Sequence, residues 1–157
     1  MNEFIEQFLL EARDYVEQAM RALHTLEHAP RDAQAFDELF RAFHTLKGSA
    51  GIVEFSAMER LLHAGEDALG EVRKAGLAVS PELNVACVAC LDQTLRWLDA
   101  MEHTGLPPAD ADAQTDRVLR NVATVFTSHV DAEPQAIAAR ERMQSDPELP
   151  ALAQELL

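Results

Sequence analysis

The chain has 157 residues, of which 13 are lysine or arginine and 27 are aspartate or glutamate, so its net charge is −14. This charge argues against a nucleic-acid partner, because contacts to phosphates require a basic surface. No apolar run approaches the roughly 20 residues that span a bilayer, and the N-terminus lacks the basic residues of a signal peptide. We therefore expect a cytoplasmic protein without membrane insertion.

Apolar residues at three- and four-residue spacing predict four long helices in the first two thirds of the chain. Cap and stop residues set their approximate bounds: Glu3 to His28, Asp32 to Ala50, Ser56 to Gly76, and Ser80 to Gly105. Ser56 and Glu59 match a capping box at the start of the third helix. Short connections between amphipathic helices predict an all-α, antiparallel up-down four-helix bundle.

The last third of the chain is less regular. The segment Leu106–Gln114 has the composition of a linker. A fifth helix is predicted over about Thr115–Val130, docked on the outside of the bundle by one apolar face. Prolines interrupt residues 131–157, which we interpret as a tail or a linker toward further domains. The predicted organisation is one domain over 1–130 followed by this tail.

The segment Phe43–Gly51 places two glycines inside a helix, where each costs about 1 kcal/mol relative to alanine. With 3.6 residues per turn, Gly48 and Gly51 lie on the same face as His44, and Lys47 lies on its other flank. His44 itself falls at the edge of the apolar stripe. The spacing therefore predicts an accessible imidazole with a cleared surface beside it and an ammonium group within reach.

Such an imidazole can carry a phosphoryl group, because its ring nitrogen is a nucleophile that a donor on another protein must approach in line. The missing side chains of Gly48 and Gly51 would admit that partner, and Lys47 would balance charge on the phosphoryl oxygens. The competing interpretation is an ordinary half-exposed His44 with glycines that serve close helix packing. The joint spacing of the four residues favours the first interpretation.

A carboxylate and a second histidine are candidates for the same site. If the second and third helices form a hairpin that turns near Phe55, Glu66 is level with His44 and on the same side. Its carboxylate could accept the ring N–H, fix the tautomer and raise the nucleophilicity of the imidazole. His63, one turn earlier, could be an auxiliary proton donor or acceptor. The competing interpretations are a solvated glutamate and a merely exposed histidine.

No metal site is predicted. Di-iron bundles require glutamate three residues before histidine, and no histidine of this chain satisfies that spacing. Cys87 and Cys90 lie on the apolar stripe of the fourth helix, where core packing is favoured over a zinc or redox pair. The histidines near helix ends are assigned no function: His24, His28, His103 and His129.

The segments Ala42–Gly51 and Leu62–Leu69 resemble histidine-phosphotransfer (HPt) domains. With the opening segment Phe4–Ala12, the chain is most similar to the N-terminal phosphotransfer domain of CheA-type chemotaxis kinases, over roughly residues 2–130. The resemblance implies that His44 accepts a phosphoryl group from Mg-ATP on a separate kinase domain. It also implies onward transfer to an aspartate of a response-regulator receiver domain, within a two-component phosphorelay.

The resemblance makes Lys47 and Glu66 the supporting neighbours of the phosphorylated histidine. It places Gly48 and Gly51 at small positions of the family and matches His63 to a histidine of the CheA branch. Because the chain lacks the glycine boxes of a kinase ATP domain, it is expected to be a relay that binds no cofactor itself, and whether to count it as an enzyme is open. The alternative function is a non-catalytic helical interaction module that binds a receiver or kinase domain.

Overall fold

The computed structural model describes residues 1–127, and these residues contain helices but no strand. The first four helices confirm the predicted ones: α1 is Glu3–His28, α2 is Ala33–Ile52, α3 is Ser56–Ala75 and α4 is Pro81–Thr104. Helix α1 packs on α2 and α4, and α3 packs on α2 and α4, so the four helices close a ring. The predicted all-α up-down bundle is confirmed.

The helix ends follow the local chemistry of the sequence. The side chains of Asp32 and Ser80 each accept a hydrogen bond from the backbone amide three residues later, at 2.9 and 3.1 Å. Gly76 and Gly105 adopt left-handed φ angles of 65° and 71°, which close the ends of α3 and α4. These four predicted boundaries are confirmed.

The turn between α2 and α3 differs from the prediction. Ser56 is the first residue of α3, and Phe55 occupies its cap position without a side-chain hydrogen bond, so the predicted capping box is wrong. The chain instead leaves α2 through Glu54, whose φ is 60°, and the Phe55 amide donates to the Ala50 carbonyl at 2.8 Å. The reason is tertiary packing, because the buried Phe55 ring lies 5.0 Å from the ring of Trp97.

The core lies along the common axis of the four helices. Its largest fully buried side chains come from every helix and from the α2–α3 turn: Trp97, Phe43, Phe55, Leu23, Leu26, Leu39, Leu46, Met58, Leu61, Leu62, Leu69 and Leu83. Cys87 and Cys90 are also fully buried, and burial raises the pKa of the Cys90 thiol to about 12. This burial confirms their predicted role as core residues.

A fifth helix, α5, covers residues 111–127 and therefore starts four residues before the predicted position. Part of the predicted linker is helical because alanine favours helix and Ala111 is buried against the bundle. The indole Nε1 of Trp97 donates to Gln114 Oε1 at 2.6 Å, which fixes this first turn. The predicted end of the helix at Val130 and the predicted tail 131–157 lie outside the described residues.

Helix α5 packs on the outside of the bundle through an apolar face that includes Val118 and Phe126, as predicted, and polar contacts add to this packing. The guanidinium of Arg60 on α3 lies 3.1 Å from Asp112 and 3.2 Å from Asp116. The hydroxyl of Thr115 is buried and donates to the Ala57 carbonyl at 2.8 Å. Within residues 1–127, none of the helices is both long enough and apolar enough to cross a bilayer.

Candidate functional site

His44 lies in the middle of α2 with its side chain 63% exposed. Its Nδ1 is 3.1 Å from Oε1 of Glu66, which lies in the middle of α3 and is only 14% exposed. The predicted pairing across the helical hairpin is therefore confirmed. The imidazole is fixed on one side by a carboxylate and reaches solvent on the other.

Lys47 completes the cluster one turn further along α2. Its Nζ lies 2.9 Å from Oε2 of Glu66, and both side chains are mostly enclosed. Oε2 is fully buried, and its contact with the ammonium group is an ion pair that lacks the angles of an aligned hydrogen bond. Each oxygen of Glu66 therefore has its own cationic or N–H neighbour on α2.

The environment of Glu66 keeps its carboxyl group ionised. Burial by itself raises the pKa of Glu66, but the adjacent ammonium group of Lys47 and the hydrogen bond with His44 together outweigh burial and lower this pKa below its ordinary value. An ionised carboxylate only accepts hydrogen bonds. The ring nitrogen that faces it, Nδ1, must therefore carry the proton, and in the neutral imidazole Nε2 has the free electron pair.

The register of α2 on α3 depends on a contact that the sequence did not reveal. A Cβ atom on Gly65 would collide with the ring of Phe43, so the two helices approach this closely only because residue 65 is glycine. These residues immediately precede Glu66 and His44. The large–small pair thus sets the distance at which the imidazole and the carboxylate meet.

The two glycines of the predicted cleared face differ in their surroundings. Gly48 is exposed, and a Cβ placed there would have no atom within 4 Å. Gly51 is also exposed, but its Cβ would lie 3.5 Å from the carboxylate of Glu59 on α3. The open surface beside His44 is therefore real at Gly48, whereas Glu59 partly covers it at Gly51.

The structure does not bring His63 into the cluster. Its side chain is exposed and its Nε2 lies 3.4 Å from Asp67 on the same helix. Within the described chain, the ion pairs of Glu66 involve His44 and Lys47 only. His63 is a neighbour of Glu66 on one face of α3, but its ion pair is with Asp67, one turn further along that helix.

An exposed apolar groove lies near the cluster, and sequence reasoning missed it. The groove runs between the start of α1 and the end of α2; Phe4 and Ile52 on its rim are 57% and 69% exposed. Phe8, Val53 and Ser49 also line it. Ile52 follows His44 by eight residues, about 12 Å along the helix. The signal for this groove in the sequence was Ile52, a large apolar residue that lies off the buried stripe of α2.

The comparisons with known proteins agree with this geometry. The family model of the Hpt domain matches residues 3–102. The chain is 33% identical over 126 residues to the chemotaxis protein CheA of Halobacterium salinarum, covering 80% of this chain and 18% of that protein. It thus spans about a fifth of the length of this curated relative.

Solved structures show the same fold. The CheA phosphotransferase domain from Thermotoga maritima is 31% identical, with a TM-score of 0.61 over 64% of this chain and 98% of that domain. The phosphorylated P1 domain of CheA3, in complex with CheY6 from R. sphaeroides, has a TM-score of 0.68 at 23% identity, over 78% of this chain and 98% of that one. The chain belongs to the Hpt domain family, and it is a phosphorelay signalling domain of the two-component type.

Proposed function

We propose that His44 accepts a phosphoryl group from ATP and passes it to an aspartate of a response-regulator receiver domain. The observation that carries this proposal is the exposed imidazole whose Nδ1 lies 3.1 Å from an ionised, mostly enclosed Glu66. This arrangement leaves Nε2 as a nucleophile directed to solvent, where a donor on another domain can reach it.

The phosphoryl transfer would proceed in two displacements. In the first, the Nε2 electron pair of His44 attacks the γ-phosphorus in line, an N–P bond forms, and the P–O bond to ADP breaks with its electron pair on ADP. Glu66 stabilises the positive charge that develops on the ring through the Nδ1–H bond. In the second, an aspartate oxygen of the receiver attacks phosphorus and the N–P electron pair returns to Nε2.

Lys47 would act mainly through Glu66. Its ammonium group lies 2.9 Å from the buried Oε2, so it holds the carboxylate in place and keeps it ionised. Balancing charge on the phosphoryl oxygens, the role expected from the sequence, would require the ammonium group to turn away from this ion pair. We therefore assign Lys47 as a positioning residue for the pair of His44 and Glu66.

The protein partners would approach over the surface that carries Gly48 and the apolar groove. Gly48 adds no side chain next to His44, and the exposed Phe4 and Ile52 offer apolar area a short distance away. A small interface of this kind suits a transient contact. The related CheA3 P1 domain forms a complex with CheY6, which supports a receiver domain as one partner.

The chain itself would hold no nucleotide. The matched region is 18% of the Halobacterium CheA relative, which leaves room in that protein for a kinase domain, and we propose that Mg-ATP binds on such a separate domain. We also propose a cytoplasmic location, because the kinase domain and the receiver domain must both reach His44. Residues 131–157 would lead toward further domains.

The alternative is a helical interaction module that binds a receiver or kinase domain without chemistry. The joint presence of His44, Lys47 and Glu66 in one contact network favours transfer, since binding alone does not require a buried carboxylate beside an exposed imidazole.

Labelling with a CheA-type kinase core and Mg-ATP tests the proposal. The chain should acquire an acid-labile, alkali-stable phosphate that is lost in His44→Gln, retained in the control His63→Gln, and chased onto a receiver domain. A chain that binds the receiver but takes no phosphate, either from the kinase core or from phosphoramidate, would instead be an interaction module.

A further inference from the structure

The last turns of α1 carry a cluster of ligands that the phosphorelay does not use. His24, Glu27 and His28 each present one ligand atom, and these atoms lie within 4.8 Å of one another on the exposed surface. Among residues 1–127 this is the one group of three such side chains that could hold a metal ion. We infer that this end of α1 binds a divalent transition metal through two imidazoles and one carboxylate.

The helix itself creates the convergence. Residues three and four apart are neighbours on one helix face, so His24 projects beside both Glu27 and His28. The two imidazole rings are 5.0 Å apart at an angle of 82°, and His24 Nδ1 lies 3.8 Å from Glu27 Oε2. The cluster does not have the spacing of di-iron sites, because Glu27 follows His24 by three residues and does not precede a histidine by three.

The distances are close to those of a filled site. Zinc binds imidazole nitrogen and carboxylate oxygen at about 2.0–2.2 Å, which places the ligand atoms of a tetrahedral site about 3–3.5 Å apart. Rotation of the exposed side chains of His24, Glu27 and His28 can bring their ligand atoms closer together by the remaining distance of about 1 Å, without any movement of the backbone. Three protein ligands leave at least one position for water.

The ligand chemistry selects the class of metal. Imidazole nitrogen is a preferred ligand of zinc, copper and nickel, whereas magnesium and calcium prefer oxygen ligands. The C-terminal end of a helix also favours a cation, since the last carbonyl groups carry the negative end of the helix dipole. The chain's net charge of −14 raises the local concentration of cations further.

Neither His44 nor His63 belongs to an equivalent group of ligands. His44 already uses Nδ1 on Glu66, and His63 has only Asp67 as an ion-pair neighbour. The proposed metal site is also separate from the relay site, because His44 lies 11 residues into α2, about 16 Å along that helix from its start.

Titration calorimetry of ZnCl₂ into the full chain tests the inference, with ¹⁵N-labelled imidazoles followed by NMR. We expect one equivalent of Zn²⁺ to bind and to shift the ring signals of His24 and His28. Loss of a partner that merely orients a ligand already costs about 10–100-fold in metal affinity, so His24→Gln and His28→Gln should each weaken binding at least about tenfold. The matched controls His63→Gln and His103→Gln should bind as the parent chain does.

Three results would overturn the inference. The first is the absence of heat and of ring shifts at millimolar Zn²⁺. The second is unchanged affinity in His24→Gln or His28→Gln, which would place any bound zinc elsewhere. The third is unchanged affinity in Glu27→Gln, which would contradict a three-ligand site. None of these results depends on phosphorylation, so the proposed relay function stands or falls separately.

Discussion

The ring of Phe43 occupies the space that a side chain on Gly65 would need. This contact joins α2 to α3 one residue before His44 and Glu66, so the packing of the core and the geometry of the site share the same stretch of helix. The pair explains why the imidazole and the carboxylate lie at hydrogen-bond distance although 22 residues separate them.

Gly65→Ala should therefore destabilise the bundle. The added methyl group meets the buried Phe43 ring, and overpacking of this kind costs about 1–3 kcal/mol. Gly70→Ala is the matched control on the same helix, because its Cβ would make only an ordinary 3.8 Å contact with Phe40. That control should raise the unfolding free energy by up to about 1 kcal/mol through helix propensity. Urea unfolding of both variants measures the difference, and equal effects would contradict this view of Gly65.

Glu66→Ala should slow phosphorylation of His44 without unfolding the chain. The carboxylate orients the ring and stabilises its developing charge. At metal sites, loss of a group that orients a histidine costs about 10–100-fold, and we expect a slowing of the same order here. Asp67→Ala is the control, since Asp67 is the next residue on α3 and forms its ion pair with the uninvolved His63. Initial rates with phosphoramidate measure the effect on the imidazole alone. A Glu66→Ala rate equal to that of the parent chain would remove Glu66 from the mechanism.

The stability contributed by Glu66 should depend on pH. The ion pair with Lys47 and the bond from His44 outweigh burial and lower the pKa of Glu66 below its ordinary value of 4.5. A lowered pKa means that the stabilisation is fully present above pH 4.5 and is lost as the pH falls through the folded-state pKa. The difference in unfolding free energy between the parent chain and Glu66→Gln should shrink over that acidic range. A difference that stays constant from pH 6 to pH 3 would be inconsistent with this assignment.

Gly48→Leu should obstruct the protein partner while sparing the imidazole. Nothing lies within 4 Å of a Cβ at Gly48, so the larger side chain fits the fold and projects into the surface beside His44. We expect slower transfer to a receiver domain and an unchanged rate with phosphoramidate. Gly48→Ala separates size from helix propensity, because it should stabilise the helix by about 1 kcal/mol with little obstruction. Normal receiver kinetics in Gly48→Leu would contradict the cleared-surface argument.

Glu54→Gly should stabilise the protein. Glu54 has a φ of 60° at the end of α2, where a side chain costs roughly 1–2 kcal/mol that glycine avoids. Thermal unfolding should show a higher midpoint for this variant. Glu38→Gly is the control, because Glu38 is exposed within α2 and glycine there should lower stability by about 1 kcal/mol. A lower midpoint for Glu54→Gly would show that the glutamate side chain contributes more than its backbone conformation costs.

Much of the site was predictable because it rests on regular geometry. Helices are stiff and the α2–α3 turn is short, so the register of His44 and Glu66 followed from the position of the turn. The ion pair of Lys47 with Glu66 was harder to foresee, since a flexible ammonium group can point to several neighbours. The position of the Glu59 carboxylate beside Gly51 could not be predicted either, because it depends on the rotamer of a side chain on another helix.

The two wrong predictions about the fold have a common cause. Local sequence signals predicted a capping box at Ser56 and a start of α5 at Thr115, and tertiary contacts overrode both signals. Burial of Phe55 against Trp97 moved the cap of α3 by one residue, and burial of Ala111 drew part of the linker into α5.

Identifying the nitrogen that carries the phosphoryl group is the most direct test of the mechanism proposed for His44. Phosphorylation of the ¹⁵N-histidine-labelled chain with phosphoramidate, followed by ³¹P–¹⁵N correlation NMR, identifies that atom. We predict coupling of phosphorus to Nε2 of His44, with Nδ1 protonated and facing Glu66, and no such signal in His44→Gln. Phosphate on Nδ1 of His44, or on another histidine, would contradict the mechanism derived from the contact between His44 and Glu66.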